Sequence, residues 1–328
     1  MQKNQTNMKN LHIFIIILII FASSCQPKKI NITGETVTAE QIIEMLNTNK
    51  NVLLVDKTIT GELDFTKVKN KYARTQDVII ADIESSVTFV RCQFEGNITA
   101  FTSDKETKKG YITIFEKNLT FSDCVLKGEV NFRQAEIKGL ANLSKTTFEK
   151  TVSFEGAVFN NNKNFFNNTT FNGEAKFAHS YFYGEVTFMN AVFNDNTNFS
   201  GTFFLLRANY SACNFYGYTN FFNLNANSHF SANYSIFHNQ TYFNNSKFSG
   251  NADFIKIYSD TLINFSNVNF NFNTKFDNST FNNKIVFEKA NFTKVPSIKN
   301  ISLKEETTFE SDSCYLYSKN KFDFEFLK

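Results

Sequence analysis

The chain has 328 residues, 42% of them apolar, and a formal net charge of +3 from 34 basic and 31 acidic side chains. That near balance excludes a strongly acidic or strongly basic surface, and with only two prolines no linker-rich boundary divides the chain into two globular domains. Asn, Lys, Ile and Phe are abundant, as an AT-rich genome would make them, so spacing is more informative than composition.

Residues 1–24 read as an export signal. Lys3 and Lys9 precede an apolar run from Leu11 to Phe21, shorter than the ~20 helical residues that span a bilayer. Ala22-Ser23-Ser24-Cys25 resembles a bacterial lipobox, whose cysteine is diacylated and becomes the new N-terminus. It departs from the usual pattern in having Ala where Leu is commonest and Ser where Gly or Ala is. Ala22 and Ser24 also satisfy the small-x-small site of ordinary signal peptidase, so lipidation of Cys25 is preferred while plain cleavage stays open. Residues 25–35 would be a polar tether. No Asp follows Cys25, which by resemblance to sorting rules argues against inner-membrane retention. The expected address is the bacterial cell envelope, as an outer-membrane lipoprotein on the periplasmic or surface face.

Thr38-Ala39-Glu40-Gln41 is a capping box, with Val37 and Ile42 placed as a hydrophobic staple. It predicts a helix to about Asn47 that buries Ile42, Met45 and Leu46 and closes the open end of a solenoid. Strand-like runs come next at Val52–Val55, Leu63–Phe65, Val78–Ile83 and Val87–Phe94. With polar loops at Lys67–Gln76 and Ser103–Gly110, they complete an irregular N-terminal cap, 36–109.

From Phe177 every eleventh residue is Phe188, Phe199, Tyr210, Phe221, Ala232, Phe243, Phe254, Phe265, Phe276 and Phe287. Five residues after each stands a second series, Phe182 to Phe292, and 19 of the 22 positions are aromatic. The residue two before each is small or β-branched, such as Ala175, Val186, Ser180 and Thr202. One large and one small inward residue at period two suits short β-bridges. Steps of five and six do not suit an amphipathic helix. Where the large position shrinks, to Ala226, Ala232 and Ser259, the small one grows, to Leu224, Phe230 and Ile257. Either the volumes swap in a filled core or the register slips by two. An earlier run through Phe121, Phe132, Leu143, Phe154 and Phe165 continues the ladder, with one residue inserted near Asn167 and Asn168.

Ala141-Asn142-Leu143, Ala208-Asn209-Tyr210, Ala252-Asp253-Phe254 and Ala290-Asn291-Phe292 match a small residue, Asn or Asp, then Leu or an aromatic. In this, residues 110–292 resemble the pentapeptide-repeat proteins. The departure is a sixth residue in every second step. The resemblance implies a right-handed four-sided parallel β-helix, all-β, with two eleven-residue units per coil. About eight coils would stack over roughly 40 Å at ~4.8 Å each. Beyond Phe292 the period dissolves at Pro296, and residues 293–328 are expected to cap the far end. Phe322, Phe324 and Phe326 alternate with Asp323 and Glu325 as an edge strand, which either closes the solenoid or pairs with a second copy in a homodimer.

Candidate chemistry is sparse. Cys92, Cys124 and Cys213 each sit two residues before a core Phe or Leu, so they read as buried thiols rather than a disulfide set or metal site. His179, His229 and His238 lack metal-ligand spacing and read as surface residues. No catalytic residue, cofactor or metal is expected. The alternative is a carbohydrate-active β-helix enzyme, which needs carboxylates converging in a cleft. Some members of the family mimic DNA with an acidic surface, and the balance of +3 with an export signal argues against a nucleic-acid-related role. Lys57, Lys67, Lys69, Lys71 and Arg74 cluster near the tether as a solvated basic loop. With Phe182 and Phe204 inward, Tyr181, Tyr183, Phe203 and Leu205 point outward one coil apart, an apolar strip for a protein or glycan partner. A one-residue shift that turns Phe203 inward would abolish the strip.

Overall fold

Residues 35–304 are described by a computed structural model, with 309–310, 315–316 and 320–321 described by their backbone alone. The export signal at 1–24, Cys25, the tether up to Gly34, and Phe322, Phe324 and Phe326 lie outside the described residues.

After a strand at Thr36–Thr38, Thr38 caps the helix Ala39–Asn47 reciprocally. Its Oγ1 accepts from the Gln41 N–H at 3.2 Å, and its own N–H donates to Gln41 Oε1 at 2.9 Å. Ile42, Met45 and Leu46 are buried, as the capping box and staple predicted. The chain then winds through four parallel sheets in fixed rotation. Among the described residues face one has 12 strands, face two 11, face three 14 and face four 10. These exceed the eight coils of the regular ladder because the leading coils and residues past Pro296 stack in the same sheets. Thr280↔Ser302, Ile285↔Phe309 and Asn291↔Tyr315 are paired in parallel, and Asn320–Lys321 then turns back antiparallel on Tyr315–Leu316. Side-chain periodicity fades there, but backbone pairing needs no phenylalanine.

The loop expected at Lys67–Gln76 contains an arm of a β-hairpin on face three, while the loop expected at Ser103–Gly110 is the turn of a second hairpin there. Lys71–Ala73 pairs antiparallel with Ile79–Ala81, and Phe101–Ser103 with Gly110–Ile112. Each insertion extends a face-three strand sideways, so its backbone groups are satisfied without disturbing the stack.

Every ladder position from Phe177 to Phe292 is buried. Successive coils align at 22 residues, as in Phe182↔Phe204, Phe204↔Ala226 and Ala226↔Phe248. The register therefore holds through Ala226, Ala232 and Ser259. Leu224, Phe230 and Ile257 are buried beside them, so the volumes swap and no slippage occurs. Rings stack along each column, with Phe171, Phe193, Phe215 and Phe237 at 4.7, 4.7 and 5.0 Å and interplanar angles of 3–5°. Between columns they meet edge-on, as Phe177 does Phe188 at 5.4 Å and 89°. Both are favourable quadrupole arrangements.

One corner in two has a specific geometry. His179, Asn190, Gly201, Ala212, Asn223, Tyr234 and Asn245 all have φ between +55° and +64°. Each is the third residue of a turn closed by an i→i+3 hydrogen bond, such as Ser180 N–H to Phe177 O at 3.1 Å. This is a type II-like corner, and it belongs to the five-residue steps; the sixth residue falls in the alternate steps, as between Phe193 and Phe199, where no residue has a positive φ.

The inserted residue lies earlier than the ladder suggested. Partners are 22 apart at Glu136↔Val158 but 23 apart at Ala141↔Asn164, which places the enlarged corner at residues 160–163. Phe166, not Phe165, consequently fills the core and stacks on Phe188 at 4.7 Å, while Phe165 is half-buried. Asn164 takes the inward slot before it, and its Nδ2 donates to the Asn161 and Glu185 carbonyls. Gly184 is required against this corner, because a Cβ there would collide with the Asn161 carbonyl.

Candidate binding surface

The small inward slots do more than make room. Ser180, Thr202, Ser235, Ser246 and Ser279 are fully buried, and each hydroxyl donates to the carbonyl of a column aromatic. Ser246 Oγ reaches Phe221 O at 2.7 Å and accepts from the Leu224 N–H at 3.1 Å. Cys213 Sγ likewise donates to Phe188 O at 3.0 Å. Among the described residues all three cysteines are free and buried. The hydrogen bond between Cys92 and Cys124, together with burial, raises the Cys124 thiol, and burial raises Cys213.

The side chains left to solvent come from strand positions of opposite parity and from corners. The strip on face three has the predicted parity. Tyr181 pairs with Phe203 across neighbouring strands, their rings 6.2 Å apart, and Tyr183 meets Phe203 at the same distance. Tyr181, Tyr183 and Leu205 are 43%, 44% and 39% exposed, and Phe203 is half-buried between them. Phe204 is the inward residue, stacked on Phe182 at 5.3 Å. The one-residue shift is thus excluded, and Leu206, also exposed, extends the strip.

The basic cluster is more engaged than a solvated loop. Arg74 pairs with Glu136 at 3.4 Å, Lys67 approaches Asp64 at 4.0 Å, and Lys71 lies over Tyr111 at 5.6 Å. The surface histidines also have partners. His229 meets Asp253 at 3.0 Å, and His238 meets Asp260 at 2.8 Å while stacking on Tyr216 at 4.5 Å. Burial raises the Asp260 carboxyl, but hydrogen bonds from His238, Asn282 and Tyr258 outweigh it and hold it below the ordinary carboxylate range.

Residues 113–158 match the family described as pentapeptide repeats (9 copies). No curated protein and no solved structure matches the chain. The family match lies within the ladder, and the four-sheet architecture extends the pentapeptide-repeat β-solenoid well beyond it on both sides.

Sequence reasoning passed over a second aromatic group, on face two. Tyr218, Phe222 and Tyr242 line a groove of about 360 Å³ with asparagines. The signal was available. Phe222 follows an inward Phe, Tyr218 precedes an inward Thr, and Tyr242 lies between the two inward residues Thr241 and Phe243, so all three had to point out.

Proposed function

We propose that the chain is a non-enzymatic binding or scaffold protein of the bacterial envelope, anchored by lipid on Cys25 and presenting its solenoid surface to a protein or glycan partner. The observation that carries this reading is the strip of Tyr181, Tyr183, Phe203 and Leu205, large apolar side chains held on the rigid face of a sheet and left to solvent. A β-solenoid fixes such groups in place before contact, so little ordering entropy is lost on binding. Contiguous apolar groups of this kind mark contact sites more often than chance. Pentapeptide-repeat solenoids are typically non-catalytic, which agrees with a scaffold role.

The test compares capture from envelope extracts by the wild-type protein and by a variant with Ser at all four positions, once circular dichroism shows both folded. A partner retained by the wild type and lost by the variant supports the reading; identical captures refute it. Incorporation of a labelled fatty acid, abolished by Cys25→Ala, tests the anchor separately.

A further inference from the structure

The groove on face two has a chemistry distinct from the strip. Its aromatic members come from adjacent coils, with the Tyr218 and Tyr242 rings 5.3 Å apart and tilted by 36°. Tyr218 and Phe222 are 39% and 40% exposed, so their rings are available to a ligand. The other side chains lining it are amides, and no charged residue is among them. Asn220 spends its Oδ1 on the Phe222 N–H at 2.9 Å, which fixes the amide plane. Asn244 Oδ1, buried at the atom level, has no hydrogen-bond partner. A buried acceptor without a partner is costly, so a turn of the half-buried Asn244 amide towards a ligand hydroxyl would be favoured.

From these features we infer that the groove is a subsite for a neutral oligosaccharide. Sugar rings present C–H faces to aromatic platforms and hydroxyls, both donor and acceptor, to planar amides, and this groove offers both. The lack of a lining cation or carboxylate removes any attraction for acidic or basic saccharides. The direction of the groove also fits. Its lining spans residues 218 to 267, three successive coils spaced ~4.8 Å apart, a repeat close to the length of one pyranose unit. A chain of sugars can therefore lie along the solenoid axis, meeting aromatic rings on the first two coils and amides on all three. The subsite shares no residue with the face-three strip.

The test is titration calorimetry of the full chain with neutral hexasaccharides of β-1,4-linked glucose and of N-acetylglucosamine, with hexagalacturonate as the acidic control. At least one neutral probe should bind, and Tyr218→Ala and Asn244→Ala should each weaken it by about tenfold or more. Tyr218→Phe, which keeps the ring, should stay within about threefold of wild type, and Tyr181→Ser with Tyr183→Ser should have no effect. Circular dichroism of each variant checks its fold. No heat with either neutral probe, equal binding by correctly folded Tyr218→Ala and Asn244→Ala variants, or tighter binding of hexagalacturonate would overturn the inference. None of these results bears on partner capture by the strip, so the two readings fail separately.

Discussion

Tyr210 is the only ladder aromatic with a hydroxyl, and its OH is buried without a partner. Its ring stacks on Phe188 at 4.8 Å and touches Phe230 at 5.4 Å, so the aromatic packing is satisfied while the oxygen is not. Burial drives its pKa well above the ordinary tyrosine value, consistent with a group that never ionises in the fold. Tyr210→Phe should therefore raise stability by about 1–3 kcal/mol, read as a higher urea midpoint at unchanged slope. The reverse holds at Ser246, which both donates and accepts in the core. Ser246→Ala should lower stability by about 1–3 kcal/mol, because Phe221 O and the Leu224 N–H lose a partner that water cannot replace. At Ala212, with φ +58°, a Cβ is carried in a conformation that suits glycine. Ala212→Gly should stabilise by about 0.5–1 kcal/mol, the relief of strain exceeding the entropy added to the unfolded chain.

A single coil is the natural element, and its corners decide what the sequence reveals. The inward columns were legible because a two-residue strand fixes parity, and the same parity exposed Tyr181 and Phe203. The αL corner was not legible, since Asn190, Ala212, Tyr234 and Lys256 share one backbone angle without sharing a side-chain type, and they lie in the five-residue steps, which show no extra residue. For the same reason the enlarged corner was misplaced. Phe165 and Phe166 are adjacent and chemically identical, and only pairing shows that the inserted residue precedes them. The hairpin arms at Lys71–Ala73 and Phe101–Ser103 were hidden because their strands lie outside the repeat. The ladder of Tyr216, His238 and Asp260 on successive coils adds a pH-dependent contribution. Asp260 is held below its ordinary value of 3.8, so its contribution is complete above that pH and lost as pH falls through the lower folded value. The side chain is about a third exposed, so the effect should stay below about 1 kcal/mol. Urea unfolding at pH 5 and pH 2.5 should show a smaller acid loss for Asp260→Asn than for wild type.

In the whole molecule each coil contacts only its neighbours, so stability approximates a sum of coil terms and nearest-neighbour interfaces. Adjacent coils are held at 22 residues on all four faces, as in Val186↔Ala208, Val192↔Asn214, Thr197↔Thr219 and Phe203↔Asn225. Removing residues 186–207 should bring Glu185 against Ala208 with every face, turn and inward parity conserved. The shortened chain is expected to fold, with the same circular dichroism per residue and one cooperative transition at a moderately lower midpoint. Removing only residues 186–190 should do far more damage. It shifts every later strand to the wrong side of the square and sets corners with φ near +60° over corners without one. Part of the ladder would then lose its pairing, and the polar groups released would be buried or exposed on a sheet edge. Comparable unfolding of the two deletions would refute the nearest-neighbour account. A folded 22-residue deletion beside a destabilised five-residue deletion would show that the coil, not the pentapeptide, is the unit by which this solenoid tolerates change.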